Sequence, residues 1–319
     1  MEMSLNEWKS YDQFLSASST QRYLKGCYQQ LETTLTSDEL SYRNCYSFIY
    51  YLTHGKRYFD LCKNSPLELQ PVLLYYGMIQ LIKCCLLTVD PFYPESTALL
   101  AHGVTTRKRK KMNYLFLQDE IKVQKNGLYP YLCKQLFHLE AYEGDKFQMQ
   151  DLLGHVPEMN DLFQQINGYS PLLPVGVTSC GSLSVPDQIL DHLHMTDSRF
   201  IQFIKQQFTD SKVTYTESNF VIENGKNARK NPLIKKNLYG DSFLPTAREG
   251  FISLNEVMVH YLLLYNLSMI CRYETEWWGD LFHTYSSNDF PFISRFLSVS
   301  RVKVPLMLME YLETKGHSS

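Results

Sequence analysis

Residues 253–278 read SLNEVMVHYLLLYNLSMICRYETEWW, and this stretch decides the fold that we predict for the chain. Ser253 and Glu256 stand at the spacing of a capping box, in which a hydroxyl and a carboxylate satisfy the first free amides of a helix. No Gly or Pro follows before Gly279, and residues 257–271 are apolar almost all round. The pattern predicts a helix buried in the middle of a domain.

The same helix carries polar side chains along one face. Spacings of four, three and four residues place on that face Tyr261, Tyr265, Ser268 and Arg272. A buried polar group without a partner costs on the order of 1–3 kcal/mol. We therefore expect the stripe to face another element of the chain, a partner or a ligand, and the sequence leaves these alternatives open.

A second buried helix is predicted over residues 71–89. This longest apolar run contains Gln80 and Lys83 and is bounded by prolines, so we interpret it as a core helix and not as a membrane span. A second capping box is predicted at residues 65–68, and Pro71 then kinks or restarts the helix. Lys83 either reaches the edge of the core or points at a site.

The remaining pattern predicts shorter elements. Helices are expected at 8–14, 20–33, 38–62, 150–167 and 186–208, and as a C-terminal helical pair at 290–298 and 302–310. The helix at 38–62 is expected to be interrupted at His54-Gly55, and the C-terminal pair near Pro305. Strands are expected at 114–117, 119–123, 128–132, 172–177 and 212–222. The first three form a predicted hairpin, with its turn at Lys125-Asn126-Gly127. The fold class predicted is α+β and predominantly α-helical. Its buried central helices belong to a body of residues 1–95 and 250–319, with a small mixed β insert at 96–249, unless the chain is one continuous domain.

Composition restricts the function classes. The chain has 319 residues, 44% of them hydrophobic and 20% charged, as expected of a globular protein with a sizeable core. The net charge of −2 gives no general argument for nucleic acid or a membrane as partner. Eight cysteines without a C-x-x-C pair, and a start that lacks signal-peptide character, predict a cytoplasmic protein with reduced thiols.

Two basic segments carry most of the functional argument. The first comprises Arg107, Lys108, Arg109, Lys110 and Lys111, and the second, in a long loop predicted at 225–250, comprises Lys226, Arg229, Lys230, Lys235 and Lys236. Five charges on a loop suit a nucleotide phosphate, RNA or an acidic protein face, although such a run can also be merely solvated. The hypothesis is strongest if the two loops meet in space.

Histidine supplies the other candidate. His102 precedes the first basic run and is either a base or phosphate donor, or the anchor of a loop. His192 and His194 are two residues apart, which turns them to different sides of a helix. The sequence contains no cluster at metal-ligand spacing and no Walker A, G-x-S-x-G or G-x-G-x-x-G motif. We therefore expect no metal and no cofactor.

Three stretches resemble the YaaC-like family of bacterial proteins. They are NCYSFIYYLTHGKRYFDL at 44–61, PVLLYYGMIQLIKCCLLTVDPFYPESTALLAHGVTTRKRKK at 71–111 and HYLLLYNLSMICRYETEWW at 260–278. The resemblance spans about residues 11–312 and implies a bacterial cytosolic protein, without supplying an activity. Genes of that family in Gram-positive bacteria often lie near the gene for inosine monophosphate dehydrogenase. This context implies purine nucleotide metabolism, with that enzyme as a candidate protein partner.

The two central helices are also similar to those of HEPN-like helical domains, through YYGMIQLIK at 75–83 and LSMICRY at 267–273. Ribonucleases of that kind use an Arg followed by a His after four to six residues. Here Arg272 precedes His283 by eleven positions, and Arg248 precedes His260 by twelve. The ribonuclease residues therefore do not carry over, which favours a binding role.

These observations predict a cytosolic, non-enzymatic binding or regulatory protein that holds an anionic partner. Its site residues would be His102, Arg107–Lys111, Arg229, Lys230 and Arg272. A nucleotide or nucleic acid is the first choice of partner and an acidic protein surface the second, with no membrane. Arg272 would instead be structural if it pairs with Glu274, Glu276 or a distant carboxylate.

Two alternatives remain open. One is an enzyme acting on a nucleotide or RNA phosphodiester, with His102 as the catalytic base. The other is a structural subunit of a homodimer, with the Tyr-rich helices as the interface.

Overall fold

The computed structural model describes residues 8, 10–106, 114–178, 181–208, 211–216, 218–223, 231–285 and 287–317. Over these residues the chain forms 11 α-helices and two antiparallel sheets, which confirms the predominantly helical α+β class. The chain divides into two compact units, Met1–Met149 with His260–Ser319, and Gln150–Val259.

The helices are α1 Ala17–Tyr28, α2 Ser37–Lys63, α3 Gln70–Leu87, α4 Leu128–Phe137, α5 Met149–Leu153, α6 Asn160–Asn167, α7 Ile189–Leu193, α8 Asp197–Gln207, α9 Glu256–Tyr273, α10 Thr275–Thr284 and α11 Asp289–His317. The strands are β1 Val104–Thr106, β2 Glu120–Val123, β3 Lys146–Gln148, β4 Leu172–Val177, β5 Leu183–Pro186, β6 Lys212–Thr216, β7 Asn219–Glu223, β8 Lys235–Lys236 and β9 Ser242–Pro245.

Helix α3 lies in the core of the first unit, against α2 and α11. One helix among the described residues, Leu67–Leu87, is long and apolar enough to cross a membrane by length and composition. In the structure, however, its large side chains pack inward, and Tyr75, Met78 and Ile82 are fully buried. This agrees with the interpretation of the run as a core helix.

Helix α2 is continuous through His54-Gly55, where an interruption was predicted. The glycine serves helix packing. A Cβ atom built on Gly55 would lie 2.8 Å from Cδ2 of Leu81 in α3, and one built on Gly77 would lie 2.9 Å from Cε2 of Phe59 in α2. Two glycines therefore let α2 and α3 approach closely, at contact distances that real Cβ atoms do not tolerate.

Both predicted capping boxes are wrong. Helix α9 begins at Glu256, and the side chain of Asn255 accepts from the backbone N–H of Val257 at 2.9 Å. Ser65 donates its hydroxyl to the carbonyl of Leu61 at 2.7 Å, so it completes the end of α2. An Asx side chain next to the first turn satisfies the free amides without the more distant Ser253.

Helix α3 restarts at Gln70, with Pro71 in its first turn. The C-terminal helical pair is one helix, α11, with Pro305 inside it. The region 186–208 holds two helices, because the chain turns at His194, which has a left-handed φ of 51°.

A three-stranded sheet of order β1-β2-β3 belongs to the first unit. The predicted hairpin at 114–132 is wrong. Residues 116–118 form a 3₁₀ turn, residues 128–132 begin α4, and β2 pairs instead with β1 and β3. The Lys125-Asn126-Gly127 turn thus leads from a strand into a helix.

The second unit contains a six-stranded antiparallel sheet of order β6-β7-β5-β4-β9-β8. The strand predicted at 172–177 is confirmed as β4, whereas the one predicted at 212–222 is two paired strands, β6 and β7. The sheet packs on α7 and α8, with Val185, Phe200 and Phe220 fully buried. Two further strands, β8 and β9, lie in the described part of the loop predicted at 225–250.

We predict that Gly77→Val destabilises the protein by about 1–3 kcal/mol, because the new side chain overpacks the α2–α3 contact. Gly279→Val is the matched control. Gly279 also lies in a helix, but an added Cβ meets no atom within 4 Å. Urea unfolding of both variants measures the difference. Equal stabilities would contradict the packing role of Gly77.

His155 makes the second unit sensitive to acid. It is buried, and burial, reinforced by the charge of Lys235, lowers its pKa to about 3, with Glu256 opposing the shift. Because the folded pKa lies below the ordinary value near 6.5, the stability that depends on neutral His155 is fully present above pH 6.5. It is lost progressively as the pH falls toward 3.

We predict that His155→Met makes the free energy of unfolding less dependent on pH between pH 6 and 4. The variant no longer takes up the proton of His155 on unfolding, which lowers the slope by up to about 1.4 kcal/mol per pH unit. The slope is measured by urea unfolding at several pH values. His54→Met, a substitution of an exposed histidine, is the matched control. A His155→Met slope equal to that of the unmodified protein would contradict the assignment.

Candidate functional site

His102 is held by the backbone around it. The carbonyl of Ala101 accepts from the N–H of Leu128 at 2.7 Å, and that of His102 accepts from the N–H of Tyr129 at 3.1 Å. Gly103 and Gly127 both have positive φ, and a Cβ on Gly127 would lie 2.4 Å from Cα of Gly103. Only glycine fits this contact, which pins the loop carrying His102 to the start of α4.

A closed ring of hydrogen bonds fixes the imidazole of His102. The hydroxyl of Tyr261 donates to the carbonyl of His102 at 2.8 Å. The hydroxyl of Tyr75 donates to that of Tyr261 at 3.2 Å and lies 2.8 Å from Nδ1 of His102. Because a carbonyl only accepts, the proton of Tyr261 points to it, and Tyr75 is assigned as the donor to Tyr261. With both tyrosine protons placed in this way, Nδ1 is the donor to Tyr75, and the neutral ring carries its proton on Nδ1.

The other ring nitrogen of His102, Nε2, has no hydrogen-bond partner among the residues that the structure describes, and the side chain is partly exposed. In the neutral tautomer just derived, Nε2 presents a lone pair. The site thus offers an acceptor, or a base, whose orientation is set by its neighbours.

Two cations lie within electrostatic range of His102. Burial lowers the pKa of His102, and the charges of Arg272 and Lys83 lower it further. Burial also lowers the pKa of Lys83, whose Nζ stands 5.7 Å from the centre of the Tyr51 ring. The two cations thus disfavour the charged form of His102.

Arg272 is oriented by its own helix. Its Nε donates to the carbonyl of Ser268 at 2.8 Å, and its Nη2 lies 3.2 Å from Sδ of Met269. Within the described ranges neither Arg272 nor Lys83 forms an ion pair. The alternative in which Arg272 pairs with Glu274, Glu276 or a distant carboxylate is therefore wrong for the described carboxylates, and the guanidinium keeps unused donors.

Aromatic rings form the surroundings of these three basic groups. The ring of Tyr265 is buried and lies 5.3 Å from that of His102. The hydroxyl of Tyr93 is buried without a hydrogen-bond partner among the described residues, and burial, with Tyr51 and Asp90, raises its pKa. A buried hydroxyl of this kind lacks the compensation that buried polar groups usually find.

A ladder of rings continues from the site along α2 and α3. Tyr75 contacts Tyr76 at 5.7 Å, Tyr76 stacks with Tyr58 at 6.3 Å, and Tyr58 contacts His54 at 4.9 Å between ring centres. Tyr58 and Tyr76 are partly exposed.

We refer to Tyr51, Lys83, His102, Tyr265 and Arg272, together with the hydrogen bonds of His102 to Tyr75 and Tyr261, as the His102 site.

The predicted site residues divide into three groups. His102 and Arg272 lie together, with Lys83 beside them. Arg107, Lys108, Arg109, Lys110, Lys111, Lys226, Arg229 and Lys230 lie outside the described residues, so both basic loops stay predictions from sequence. Lys235 forms the third group and has a structural role. It is buried, and its Nζ donates to the carbonyls of Pro232 and Leu254, each at 2.6 Å.

The polar stripe on α9 faces other elements of the chain at two of its positions, Tyr261 and Tyr265, whose ring lies beside that of His102. Tyr261 meets Tyr75 and the loop at His102, whereas Ser268 bonds to the carbonyl of Tyr265 in its own helix at 2.8 Å. Sequence reasoning missed Tyr75 and Tyr51. The signal for Tyr75 was its place in the apolar run of α3, where a buried tyrosine needs a partner.

Among the described residues no group of three or more His, Cys, Asp or Glu side chains is arranged to hold a metal ion. The chemistry of the His102 site is that of two cations, one imidazole lone pair and several tyrosine hydroxyls.

A model of the YaaC-like protein family matches residues 12–312 of the chain. Searches of curated proteins and of solved structures return no match.

We predict that Arg272→Gln raises the pKa of His102, because it removes one of the two cations that lower it. Lys83→Met should act in the same direction. Long-range ¹H–¹⁵N NMR titration of the histidine rings, assigned with His102→Gln, measures the pKa and the tautomer. Arg22→Gln, a change at an exposed position on α1, is the control. An unshifted or lowered pKa, or a proton on Nε2 in the neutral form, would contradict the derived site.

Proposed function

The chain belongs to the YaaC-like protein family, and we propose that it is a cytoplasmic binding or regulatory protein that holds an anionic ligand at the His102 site. A nucleotide is the first choice of ligand. The cytoplasmic location and the purine context rest on the family resemblance, as does inosine monophosphate dehydrogenase as a protein partner.

One observation carries the proposal. Lys83 and Arg272 lie close enough to lower the pKa of His102, yet neither forms an ion pair within the described residues. Partly buried cations that lack a counter-ion destabilise a folded protein. An anion bound between them would remove that cost, and clusters of perturbed titratable groups are characteristic of functional sites.

The rings and hydroxyls narrow the class of anion. The partly exposed ring of Tyr76 offers a surface on which a planar base can stack, a contact worth about 1–3 kcal/mol per base. The guanidinium of Arg272 and the ammonium of Lys83 suit a phosphate group. The hydroxyl of the half-buried Tyr51, beside Lys83, offers a donor or acceptor to a sugar. A mononucleotide uses all three kinds of group, whereas a flat acidic protein surface uses only the cations.

Protonation of His102 should be linked to ligand binding. A bound anion opposes the fields of Arg272 and Lys83 and so raises the pKa of His102 from its lowered value. The bound state then takes up a proton at Nε2, which gains a charge-assisted hydrogen bond to the anion. Affinity should therefore increase as the pH falls through the pKa of the bound form, and level off below the pKa of the free form.

We predict that nucleoside monophosphates raise the thermal stability of the protein, by about 2.7 kcal/mol at 100 times Kd. Lys83→Met and Arg272→Gln should each weaken binding about 10–100-fold, through the loss of a hydrogen bond to a charged group. Isothermal titration calorimetry in buffers of different ionisation enthalpy measures affinity and proton uptake together. Arg22→Gln is the matched control.

Several outcomes would decide against the proposal. One is the absence of a thermal shift with nucleotides, inorganic phosphate and short RNAs alike. Another is binding that survives the Lys83→Met/Arg272→Gln double variant, since this would place the anion elsewhere. Binding of RNA alone would keep the site but change the ligand class to nucleic acid.

The enzyme alternative has one observation in its favour. The ring of hydrogen bonds holds Nε2 of His102 as an oriented lone pair beside two cations, an arrangement suited to removing a proton from a hydroxyl that attacks a phosphodiester. His102→Gln should then abolish turnover of a dinucleotide or RNA substrate while binding persists. If the unmodified protein shows no turnover at high concentration, the enzyme alternative is excluded and only the proposed binding function remains.

A further inference from the structure

Helix α2 presents an unusual face to solvent. Four large side chains stand out from it: Tyr42 is 72% exposed, Tyr46 55%, Tyr50 66% and Leu61 61%. The opposite face is buried in the first unit, with Phe48 and Phe59 almost fully inaccessible. Exposed tyrosines at spacings of four along one helix differ from the charged surface that a solvated helix normally shows.

The exposed face is charged at its two ends with opposite signs. Glu39 lies in the first turn of α2, and Arg57 lies five turns later, both exposed. These side chains, with Tyr46 and Tyr50 between them, fall within about 60° of one direction at 100° per residue. Leu35, 37% exposed, lies just before the helix, and Leu61 near its end.

This order of side chains is self-complementary when reversed. If two copies of α2 lie antiparallel about a two-fold axis at position 48, residue i faces residue 96 − i of the partner. Glu39 then meets the partner's Arg57, and Tyr46 meets the partner's Tyr50. Beyond them Leu35 meets the partner's Leu61. Each of these three facing pairs is thus favourable by charge or by apolar contact, and each occurs twice.

We propose that this face of α2 is the interface of a homodimer with antiparallel α2 helices. The occupant is a second copy, because an isologous interface requires a surface complementary to itself, and the opposite charges at the two ends provide that complementarity. Arg57, Asp60, Leu61 and Asn64 line a depression at the C-terminal end of α2, and Leu35 of the partner subunit enters it.

The surface is large enough for a specific contact. A tyrosine side chain offers about 150–250 Å², so three tyrosines at their observed exposures present roughly 400 Å². A standard interface buries about 800 Å² on each partner. The three tyrosines alone therefore supply about half of that area. Further area comes from Leu35, Glu39, His54, Arg57 and Leu61. Tyrosine and arginine are also enriched at interfaces.

Charge exchange tests the register. Glu39→Arg and Arg57→Glu should each turn the dimer into a monomer, because each places like charges opposite one another twice. The double variant Glu39→Arg/Arg57→Glu should restore the dimer with its charges exchanged. Sedimentation velocity at 1–100 µM (roughly the range in which standard interfaces are populated) measures the mass of the full chain. Circular dichroism checks that each variant is folded.

Glu39 also completes the capping box of α2 with Thr36, which calls for a matched control. Thr36→Ala removes the cap without changing a charge, and it should remain a dimer. Tyr46→Glu/Tyr50→Glu should be a folded monomer that still binds nucleoside monophosphates or, if the His102 proposal fails, still shows no binding. The two proposals therefore fail independently.

The proposal is overturned by an unmodified chain that is monomeric at 100 µM, the highest concentration of the series (a weak limit for a specific interface). It is also overturned by a Tyr46→Glu/Tyr50→Glu variant that stays dimeric. A double charge-exchange variant that remains monomeric while folded would exclude the antiparallel register.

Discussion

The carbonyl and the ring of His102 both form hydrogen bonds to tyrosines, and these two contacts connect the loop that carries His102 to helices α3 and α9. Tyr75 belongs to α3, Tyr261 to α9, and the amide of Tyr129, which also reaches the His102 carbonyl, to α4. Three helices thus converge on one loop residue. Because Nδ1–H donates to the hydroxyl of Tyr75 in this ring, rotation of the imidazole breaks that hydrogen bond, which is worth about 0.5–1.5 kcal/mol.

That anchoring explains why the site is electrostatically unusual. A histidine held between Lys83 and Arg272 loses affinity for a proton, and burial of Lys83 lowers the pKa of its own ammonium. In most folds a neighbouring carboxylate would offset such charges. Here the described residues provide none, so the protein carries an electrostatic cost that a ligand can remove.

Sequence reasoning succeeded where one pattern dominated. The uniform apolar runs of α3 and α9 predicted both central helices, and the strand expected at 172–177 is β4. It failed where a tertiary contact decided the outcome. The sequence at His54-Gly55 predicted a break, but α2 continues there, because Leu81 of α3 occupies the space that a side chain at position 55 would need. Residues 128–132 are helical, and the first two amides of this helix donate to carbonyls of the loop at His102. At the site, His102 and Arg272 were found singly, whereas their proximity to Lys83 depends on packing that spacing alone does not encode.

The hydrogen-bond ring at His102 has a direction. It ends on a carbonyl, which accepts but never donates, so the protons of Tyr261, Tyr75 and Nδ1 can all point only one way around it. A proton that arrives at Nε2 consequently has no onward path through the ring, unlike a proton in a relay of interchangeable donors and acceptors. His102 is therefore a terminus: it can hold a proton and return it through the same atom, and it isolates the interior tyrosines from the protonation state of whatever occupies the site.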